Sequence, residues 1–265
     1  MNASEVLVTG GTGSLGSRVV ERLRAAGRDV RALSRGARPG TVRGDLLTGV
    51  GLEEAVAGVD TIVHCASSPT RTRRTDVEGT ERLLRTAHRA GVSHIVFISI
   101  VGVDRNPHFP YYRAKLEVER MVERSPVPWT ILRATQFHEF VLMQIRSLDR
   151  LPVLLVPTGF LLQPIDIGEV AGRLTELALA EPAGRAAEIG GPEVGTFAGF
   201  ARTYREAAGR RKRIVGVPVP GKTARALRDG AQITPNHRYG KVTWEEFLRW
   251  EIQPAPHRGG EKGYA

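Results

Sequence analysis

Residues 6–16 constrain the fold of this chain more than any other segment, because an apolar run leads directly into a glycine-rich turn. Glycines recur at every third position, at Gly10, Gly13 and Gly16, and a helical pattern of apolar residues follows. The first glycine permits a sharp turn, the second leaves space beside the backbone, and the third lets the helix pack closely on a sheet. A glycine triplet alone also occurs in tight turns of other α/β proteins. This order of strand, glycines and helix predicts that the helix N-terminus binds a dinucleotide pyrophosphate.

The end of the second predicted strand, residues 30–34, bears on which dinucleotide is bound. An NAD-selective site places a carboxylate there, about 20 residues after the glycines, against the ribose hydroxyls. This chain has Arg35 instead. A guanidinium can pair bidentately with a 2′-phosphate, which a carboxylate would repel. We therefore predict NADP(H) as the preferred cofactor and NAD(H) as the alternative, while noting that Arg35 also suits an ordinary solvated charge in an arginine-rich chain.

The length and charge of the chain limit the classes of protein to consider. At 265 residues and 41% hydrophobic content, the chain can form one domain, or one domain with a small cap. The formal charge of +10 invites a nucleic-acid or membrane interpretation. The cations are spread along the chain, however, with short runs only at residues 71–74 and 210–213. No zinc-finger spacing or RNA-binding signature accompanies them, so we expect a solvated basic surface, no nucleic-acid partner and no metal site.

Cysteine content and hydropathy bear on the cellular compartment. Cys65 is the only cysteine, which excludes an intramolecular disulfide, and we expect a buried structural thiol rather than a nucleophile. No signal-peptide pattern precedes the first strand and no apolar run approaches the length of a membrane span. These features predict a cytoplasmic protein that does not associate with membranes.

Strands and helices alternate regularly through residues 1–134, which is typical of right-handed crossovers that build a doubly wound parallel sheet. Beyond that point prolines interrupt the pattern, and we expect residues 135–252 to form a small substrate-binding cap interleaved with the core. The Pro-, Gly- and charge-rich stretch 253–265 is predicted to be disordered. The predicted strands are 5–9, 29–34, 41–43, 60–64, 94–98, 128–132, 153–156 and 212–217, and the predicted helices are 14–26, 51–57, 75–90, 111–124, 136–149, 167–180 and 196–208.

Tyr111 and Lys115 lie four residues apart in a predicted helix that follows Pro110, so both face the same side. In a carbonyl reductase this spacing has a chemical reason. A tyrosine hydroxyl can protonate the alkoxide that hydride addition leaves, and a neighbouring ammonium favours the ionised tyrosine and can hold the nicotinamide ribose. The spacing also suits an aromatic anchor whose lysine pairs with Glu119 one turn later. Tyr112, three residues before the lysine, is the alternative proton donor.

The Gly-x-x-Gly-x-x-Gly and Tyr-x-x-x-Lys motifs together resemble the short-chain dehydrogenase/reductase superfamily, in its extended and atypical branches. Residues 44–46, 64–67, 76–80, 130–138 and 242–248 are similar to patterns of its nitrogen-metabolite-regulator-like and quinone-reductase-like members. The resemblance covers nearly the whole chain up to about residue 250. It implies an α/β, Rossmann-type fold with a small C-terminal substrate-binding cap.

The resemblance also implies a third catalytic residue, a serine at the end of the strand before the tyrosine helix that hydrogen-bonds the substrate carbonyl. Ser99 is the serine in this segment, but an alignment to the extended branch places the active position at Ile100. Ser99 could instead satisfy the strand end or touch the nicotinamide. Both interpretations are retained for Ser99.

Five segments are predicted to contact the cofactor, namely the glycine loop, the ends of the second and fourth strands, the turn after the third strand and the tyrosine helix. Asp45 could accept from the adenine amine or simply cap a turn. Gln136, Phe137 and His138 follow the sixth strand, where ligands bind beyond the carboxyl ends of a parallel sheet, and we predict substrate contacts there. His138 also suits a packing role. The predicted cofactor contacts are Gly10, Thr12, Gly13, Ser14, Leu15, Gly16, Ser34, Arg35, Asp45, Leu46, Cys65, Ala66, Ser67 and Lys115.

The sequence favours an NADPH-dependent oxidoreductase that reduces a ketone, quinone or related carbonyl on a small apolar molecule. Two alternatives stay open. One is a redox sensor that binds NADP(H) without turnover, and the other is an epimerase or dehydratase that retains its cofactor. We expect a small-molecule substrate as the partner, and a monomer or homodimer.

Overall fold

The structure is a computed structural model that describes residues 5–36, 38–68, 73–150 and 152–252. Seven parallel strands form one sheet in the order β3-β2-β1-β4-β5-β6-β9. The first six strands follow the order of the Rossmann-type doubly wound sheet. The predicted α/β fold is therefore confirmed. The strands are β1 (Glu5–Thr9), β2 (Asp29–Ser34), β3 (Thr41–Arg43), β4 (Thr61–His64), β5 (His94–Ile100), β6 (Trp129–Ala134) and β9 (Gly184–Arg185).

Apolar side chains alternate between the two faces of this sheet, so each face has its own core. In β1, for example, Val6 and Val8 belong to one core and Leu7 to the other. The first core is covered by α1 (Ser14–Ala25) and α6 (Ile167–Ala178). The second is covered by α2 (Leu52–Val56), α3 (Gly79–Arg89) and α4 (Pro110–Arg124). The helices thus hold the carboxyl ends of the strands at one common edge.

The elements of the first half agree with the predicted ones to within two residues at most ends, with one difference of type. The helix predicted over residues 75–90 is split into a π-helical turn (Arg73–Glu78) and α3. Periodicity cannot anticipate this, because a π-turn changes the hydrogen-bonding partner without changing residue type.

The second half is assembled from short elements around a third core. Two strand pairs lie outside the main sheet, one antiparallel between β8 (Leu161–Leu162) and β10 (Gly195–Thr196) and one parallel between β7 (Leu154–Pro157) and β11 (Ile214–Val217). Helix α6, which lies within the region predicted to be interleaved with the core, packs on α1 against the main sheet, and β9 extends that sheet. The elements are α5 (His138–Leu148), β7 (Leu154–Pro157), β8 (Leu161–Leu162), β10 (Gly195–Thr196), α7 (Phe197–Ala207), β11 (Ile214–Val217), α8 (Lys222–Arg228) and α9 (Trp244–Ile252).

Several expectations about this half are not tested by the fold. The domain boundaries at 134 and 252 stay predictions, and the stretch 253–265 lies outside the described residues.

The short strands β8, β9 and β10 and the helix α8 were not anticipated, because two-residue strands and a seven-residue helix leave too little periodicity to detect. Within the described ranges, no helix combines the length and apolarity that crossing a bilayer requires.

Candidate active site

The glycine loop joins β1 to α1 and needs glycine at two of its positions. Gly10 has φ +65°, a conformation that other residues rarely adopt, and a Cβ there would lie 2.9 Å from Cα of Ala66 after β4. A Cβ on Gly16 would clash with the carbonyl oxygen of Gly10. The N–H of Gly13 donates to that same carbonyl at 2.9 Å. The loop is therefore folded tightly on itself and rests against the end of β4.

The N-terminus of α1 has the features that a pyrophosphate requires. Thr12, Gly13 and Ser14 are exposed, and no side chain caps the helix. The backbone N–H groups of Ser14 and Leu15 have no hydrogen-bond acceptor among the described residues. Leu15 itself is buried in the first core, so only its backbone faces the loop. Free N–H donors at the positive end of a helix dipole fit the diphosphate of a dinucleotide.

The end of β2 presents a buried serine followed by an unpaired arginine. The carbonyl of Ser34 accepts from the N–H of Gly44 at 2.9 Å, which joins this strand end to the turn after β3. Arg35 is exposed and forms no hydrogen bond or ion pair with any described residue. Its guanidinium is therefore free to pair with a ligand.

In the turn after β3, Oδ1 of Asp45 accepts from the N–H of Leu47 at 2.9 Å. The structure thus shows the turn-capping role that the sequence left open for Asp45, and its contact with adenine stays a prediction. Leu46 is buried in the second core.

The segment after β4 lies against the glycine loop. The N–H of Ala66 donates to Oγ1 of Thr9 at 3.3 Å, while Ser67 is exposed. Cys65 is half-buried overall and packs against the first core. Loss of solvation around its sulfur raises the pKa of the Cys65 thiol to about 12, with a nearby Lys115 charge acting in the opposite direction. A thiol that resists ionisation agrees with the structural role expected for Cys65.

Tyr111, in the first turn of α4, contacts this same segment after β4. Its hydroxyl lies 3.0 Å from Oγ of Ser67, although the two residues are 44 positions apart. Tyr112, in contrast, is buried against Phe109, and its hydroxyl donates to Oε1 of Gln232 at 3.4 Å. Burial raises the pKa of Tyr112 to about 12. The geometry therefore favours Tyr111 over Tyr112 as the residue that reaches a ligand.

Lys115 is buried one turn after Tyr111, but it does not pair with Glu119. Its Nζ lies 3.5 Å from Oδ1 of Asp76 and 5.1 Å from the ring centroid of Phe97. Asp76 sits in the π-helical turn and is 1% exposed. Asp76 belongs to a segment, residues 76–80, that resembles a family pattern, but the sequence alone assigns it no role. The available signal for its burial was a carboxylate three residues before Gly79, within the predicted helix.

A chain of hydrogen bonds links the backbone of Asp76 to the end of β1 through Thr80 and His64. Oγ1 of Thr80 donates to the carbonyl of Asp76, so Nε2 of His64, at 2.8 Å, donates to Thr80. On the other side of the ring, Nδ1 of His64 then accepts from Oγ1 of Thr9 at 2.6 Å. Burial, with the Lys115 charge as a second cause, lowers the pKa of His64 to about 3. A neutral His64 is what this directional chain requires.

Ser99 is buried near the end of β5, and its hydroxyl has no hydrogen-bond partner among the described residues. Alternation along the strand places Ser99 on the same face as Phe97, which contacts Lys115. An unsatisfied buried hydroxyl is uncommon in a folded protein. Ile100, the alternative position, carries no polar side-chain group.

The three predicted substrate residues all have packing or hydrogen-bond partners within the protein. Nε2 of Gln136 donates to the carbonyl of Gln232 at 2.9 Å, and Phe137 packs against the first core. His138 is buried with ring centroids 5.0 Å from Phe247 and 5.7 Å from Trp244, and burial lowers its pKa to about 4. These contacts show the packing role that the sequence left open for His138. A substrate contact stays a prediction for all three residues.

Comparison with known proteins agrees with this geometry. A family model described as NAD(P)H-binding matches residues 10–140. The chain is 31% identical over 227 residues to (4-alkanoyl-5-oxo-2,5-dihydrofuran-3-yl)methyl phosphate reductase of Streptomyces griseus, covering 81% of this chain and 75% of the relative. It is also 25% identical over 230 residues to photosystem II assembly factor Ycf39 of Trieres chinensis, covering 81% of this chain and 72% of the relative.

Solved structures show the same architecture. The NADPH-dependent quinone oxidoreductase QOR2 of Escherichia coli, in complex with NADPH, superimposes with a TM-score of 0.78 at 19% identity, covering 94% of this chain and 100% of that chain. MoeE5 in complex with UDP-glucose and NAD gives a TM-score of 0.74 at 23% identity, covering 94% and 97%. At these identities the likeness is one of fold.

Proposed function

Because this chain belongs to the atypical short-chain dehydrogenase/reductase superfamily of NAD(P)H-binding proteins, we propose that it is an NADPH-dependent oxidoreductase. The proposed substrate is a ketone or quinone carbonyl on a small apolar molecule. Reductase relatives with a carbonyl-bearing or quinone substrate in their names support this class.

In the proposed reaction, four groups of the chain have separate roles. The first-turn N–H groups of α1 bind the pyrophosphate, and the bound reduced nicotinamide supplies the hydride when present. Tyr111 holds a proton on its hydroxyl and transfers it to the substrate oxygen. The buried ammonium of Lys115 provides positive charge one turn away and a donor for the ribose. Ser99, with its unpaired hydroxyl, polarises the substrate carbonyl.

The preference for NADP(H) over NAD(H) rests on Arg35. Its exposed guanidinium carries no counter-charge among the described residues, and it follows the strand that ends beside the adenosine site. A 2′-phosphate accepts two N–H donors from such a group. We expect Arg35→Ala to weaken NADPH binding markedly more than NADH binding, as measured by calorimetry.

One observation carries the proposal, the hydrogen bond between Tyr111 and Ser67. Gly10 packs on Ala66, the next residue is Ser67, and the Ser67 hydroxyl meets the Tyr111 phenol. The predicted pyrophosphate loop and the predicted proton donor, about 100 positions apart in the chain, therefore lie at the two sides of one short segment. This is the arrangement that a cofactor-dependent carbonyl reductase needs.

The matched pair of variants Tyr111→Phe and Tyr112→Phe tests this proposal, because both remove one phenolic oxygen from α4. NADPH oxidation is followed against a panel of quinones and ketones. We expect Tyr111→Phe to lower turnover by about 100-fold or more, with NADPH affinity little changed. Tyr112→Phe should retain most of the turnover. Equal turnover in wild type and Tyr111→Phe would contradict the assignment of the proton donor.

The similarity to a photosystem II assembly factor favours a second candidate, an NADP(H)-binding protein that recognises a protein partner without turnover. This alternative predicts NADPH binding by calorimetry together with no NADPH consumption by any carbonyl compound. Absence of any heat with NADPH and with NADH would contradict both candidates.

A further inference from the structure

A groove of about 390 Å³ lies between α7 and the β7–β11 strand pair, and it shares no residue with the candidate active site. Its most prominent feature is charge, because Arg202, Arg205 and Arg213 all line it. None of its lining residues, all of them within the described part of the chain, is acidic. Three guanidinium groups that line one cavity give it a positive potential that attracts anions.

The arginines reach the groove from two separate elements. Arg202 and Arg205 follow Ala198 at the spacing that places residues on one face of α7. Arg213 comes from the segment immediately before β11. Arg202 and Arg213 form no ion pair with any described residue. A guanidinium nitrogen of Arg205 lies 3.4 Å from Oε1 of its neighbour Glu206. The Glu206 side chain is 68% exposed, so this ion pair contributes little free energy.

The members of the short basic run at residues 210–213 have different surroundings in the fold. Asp149, after α5, takes up two members of the run, with its carboxylate 3.6 Å from Nε of Arg210 and 3.3 Å from Nζ of Lys212. Arg213 instead faces the groove. The run is therefore not uniformly solvated, because one part anchors to a carboxylate and another part is directed at a cavity.

The remaining lining of the groove suits a ligand with both an anionic and an apolar part. Thr158 and Thr196 place hydroxyl groups there, and Thr196 also caps α7, whose N-terminus adds a favourable dipole. Val156 and Ile214 provide apolar surface. The volume lies in the range of small-molecule sites, about 300–1,000 Å³.

We propose that this groove is a binding site for a small phosphate monoester, with the phosphate held by Arg202, Arg205 and Arg213. A guanidinium matches the geometry of phosphate oxygens bidentately, and three of them can satisfy a dianion. The hydroxyls of Thr158 and Thr196 supply further donors. The apolar wall at Val156 accommodates the organic group of the ester.

The test uses phenyl phosphate as the probe, titrated by calorimetry at fixed ionic strength into the full chain with NADPH at saturation. NADPH occupies the glycine loop, so that phosphate binding there does not contribute. We expect saturable binding to the wild type and at least tenfold weaker binding to Arg202→Gln/Arg213→Gln, because each lost charge-assisted hydrogen bond corresponds to about a tenfold change or more. Phenol, which lacks the phosphate, should not bind.

Arg120→Gln is the matched control, since Arg120 is an exposed arginine on α4 outside the groove. It should bind phenyl phosphate as the wild type does. If the double variant folds poorly by thermal unfolding, the single variant Arg202→Gln on the exposed face of α7 gives the same comparison. Equal affinity in wild type and double variant would overturn the proposal, as would equal weakening by Arg120→Gln, which indicates a general polyanion surface.

The outcome does not depend on the proposed reductase activity, because the readout is binding rather than turnover. The titration is repeated without NADPH, and the difference between wild type and double variant again reports the groove alone. A protein that fails to bind NADPH would contradict the proposed function while leaving this difference measurable.

Discussion

Helix α4 carries two buried ion pairs, one turn apart, that are built very differently. Glu119 is fully buried and accepts from Arg133 through both oxygens, at 2.8 Å and 2.7 Å, with a third hydrogen bond from Arg185 at 3.1 Å. Lys115 has its partner Asp76 at 3.5 Å, and Oδ1 of Asp76 has no hydrogen bond within the described residues. One pair is saturated with hydrogen bonds and the other is not.

This difference agrees with a structural role for the Glu119–Arg133 pair and supports the proposed cofactor-binding role of Lys115. The Glu119–Arg133 pair joins α4 to β6, and its donors and acceptors are occupied within the protein. The Lys115–Asp76 pair lies on the side of α4 that carries Tyr111, and it keeps hydrogen-bonding capacity for a ligand. Unsatisfied buried polar groups are costly, so their presence beside a predicted cofactor site is informative.

The largest expected effect on stability comes from Arg133→Met, which leaves Glu119 buried without its main partner. We expect the free energy of unfolding to fall by about 3 kcal/mol, at the lower end for a broken buried pair because Arg185 remains. Urea unfolding measures this loss. The double variant Arg133→Met/Glu119→Leu should recover much of it, since no uncompensated charge is then buried. A loss below about 1 kcal/mol would contradict the structural role of this pair.

Asp76→Asn should be less damaging, with a loss of about 2 kcal/mol. Oδ2 of Asp76 accepts from the N–H of Ser68 at 3.2 Å, and an amide oxygen can replace it there. Lys115 also keeps its contact with the ring of Phe97. The same unfolding measurement applies, with turnover as a second readout that should fall because Lys115 is no longer oriented. A stability loss equal to that of Arg133→Met would remove the distinction between the two pairs.

A change of pH is expected to have a smaller effect on the free energy of unfolding, because His64 can form the hydrogen bonds that link Thr9 to Thr80 and Asp76 only when it is neutral. The folded-state pKa of His64 is lowered to about 3 from the ordinary value of 6.5, so between these values the unfolded state binds the extra proton. Its stabilising contribution is therefore complete above pH 6.5 and is lost as the pH falls towards 3. Between pH 7 and about 5.5 this amounts to roughly 1 kcal/mol.

His64→Gln isolates this contribution from that of His138, whose pKa is also lowered by burial. The variant should unfold with a shallower dependence on pH over that interval. His138→Gln removes a buried histidine that packs against α9, and it should flatten the pH dependence independently, so the two variants together apportion the slope. If His64→Gln and wild type show the same pH slope, the neutral His64 chain is not present.

The smallest effect on stability is expected for Ser99→Ala, a change of less than about 1 kcal/mol in either direction. The Ser99 hydroxyl has no partner to lose among the described residues, so removing it leaves nothing newly unsatisfied. Turnover separates the two roles left open for Ser99. A fall of about 100-fold supports polarisation of the substrate carbonyl. Unchanged turnover, with unfolding unaffected, would assign the hydroxyl no catalytic role.

Local pattern accounts for most of the first half of the fold. The apolar strands, the glycine turn and the helices of residues 5–134 follow from periodicity and turn chemistry, because each is decided within a few neighbouring residues. The glycine loop and the shared helical face of Tyr111 and Lys115 were predictable for the same reason, whereas the contact of Tyr111 with Ser67 joins residues 44 positions apart. The packing role of His138 was only one of two alternatives, since burial against Trp244 and Phe247 depends on a helix about 100 residues later.

By itself, the sequence determined the alternation of strands and helices over residues 5–134, the glycine loop and the spacing that places Tyr111 and Lys115 on one helical face. Only the tertiary structure decided that Lys115 pairs with Asp76 while Glu119 pairs with Arg133, and that Tyr111 rather than Tyr112 meets Ser67. The physical reason is that a helical spacing of four offers a neighbouring partner of modest strength in water. Burial makes the choice of partner depend on which carboxylate or guanidinium the packed sheet brings within reach.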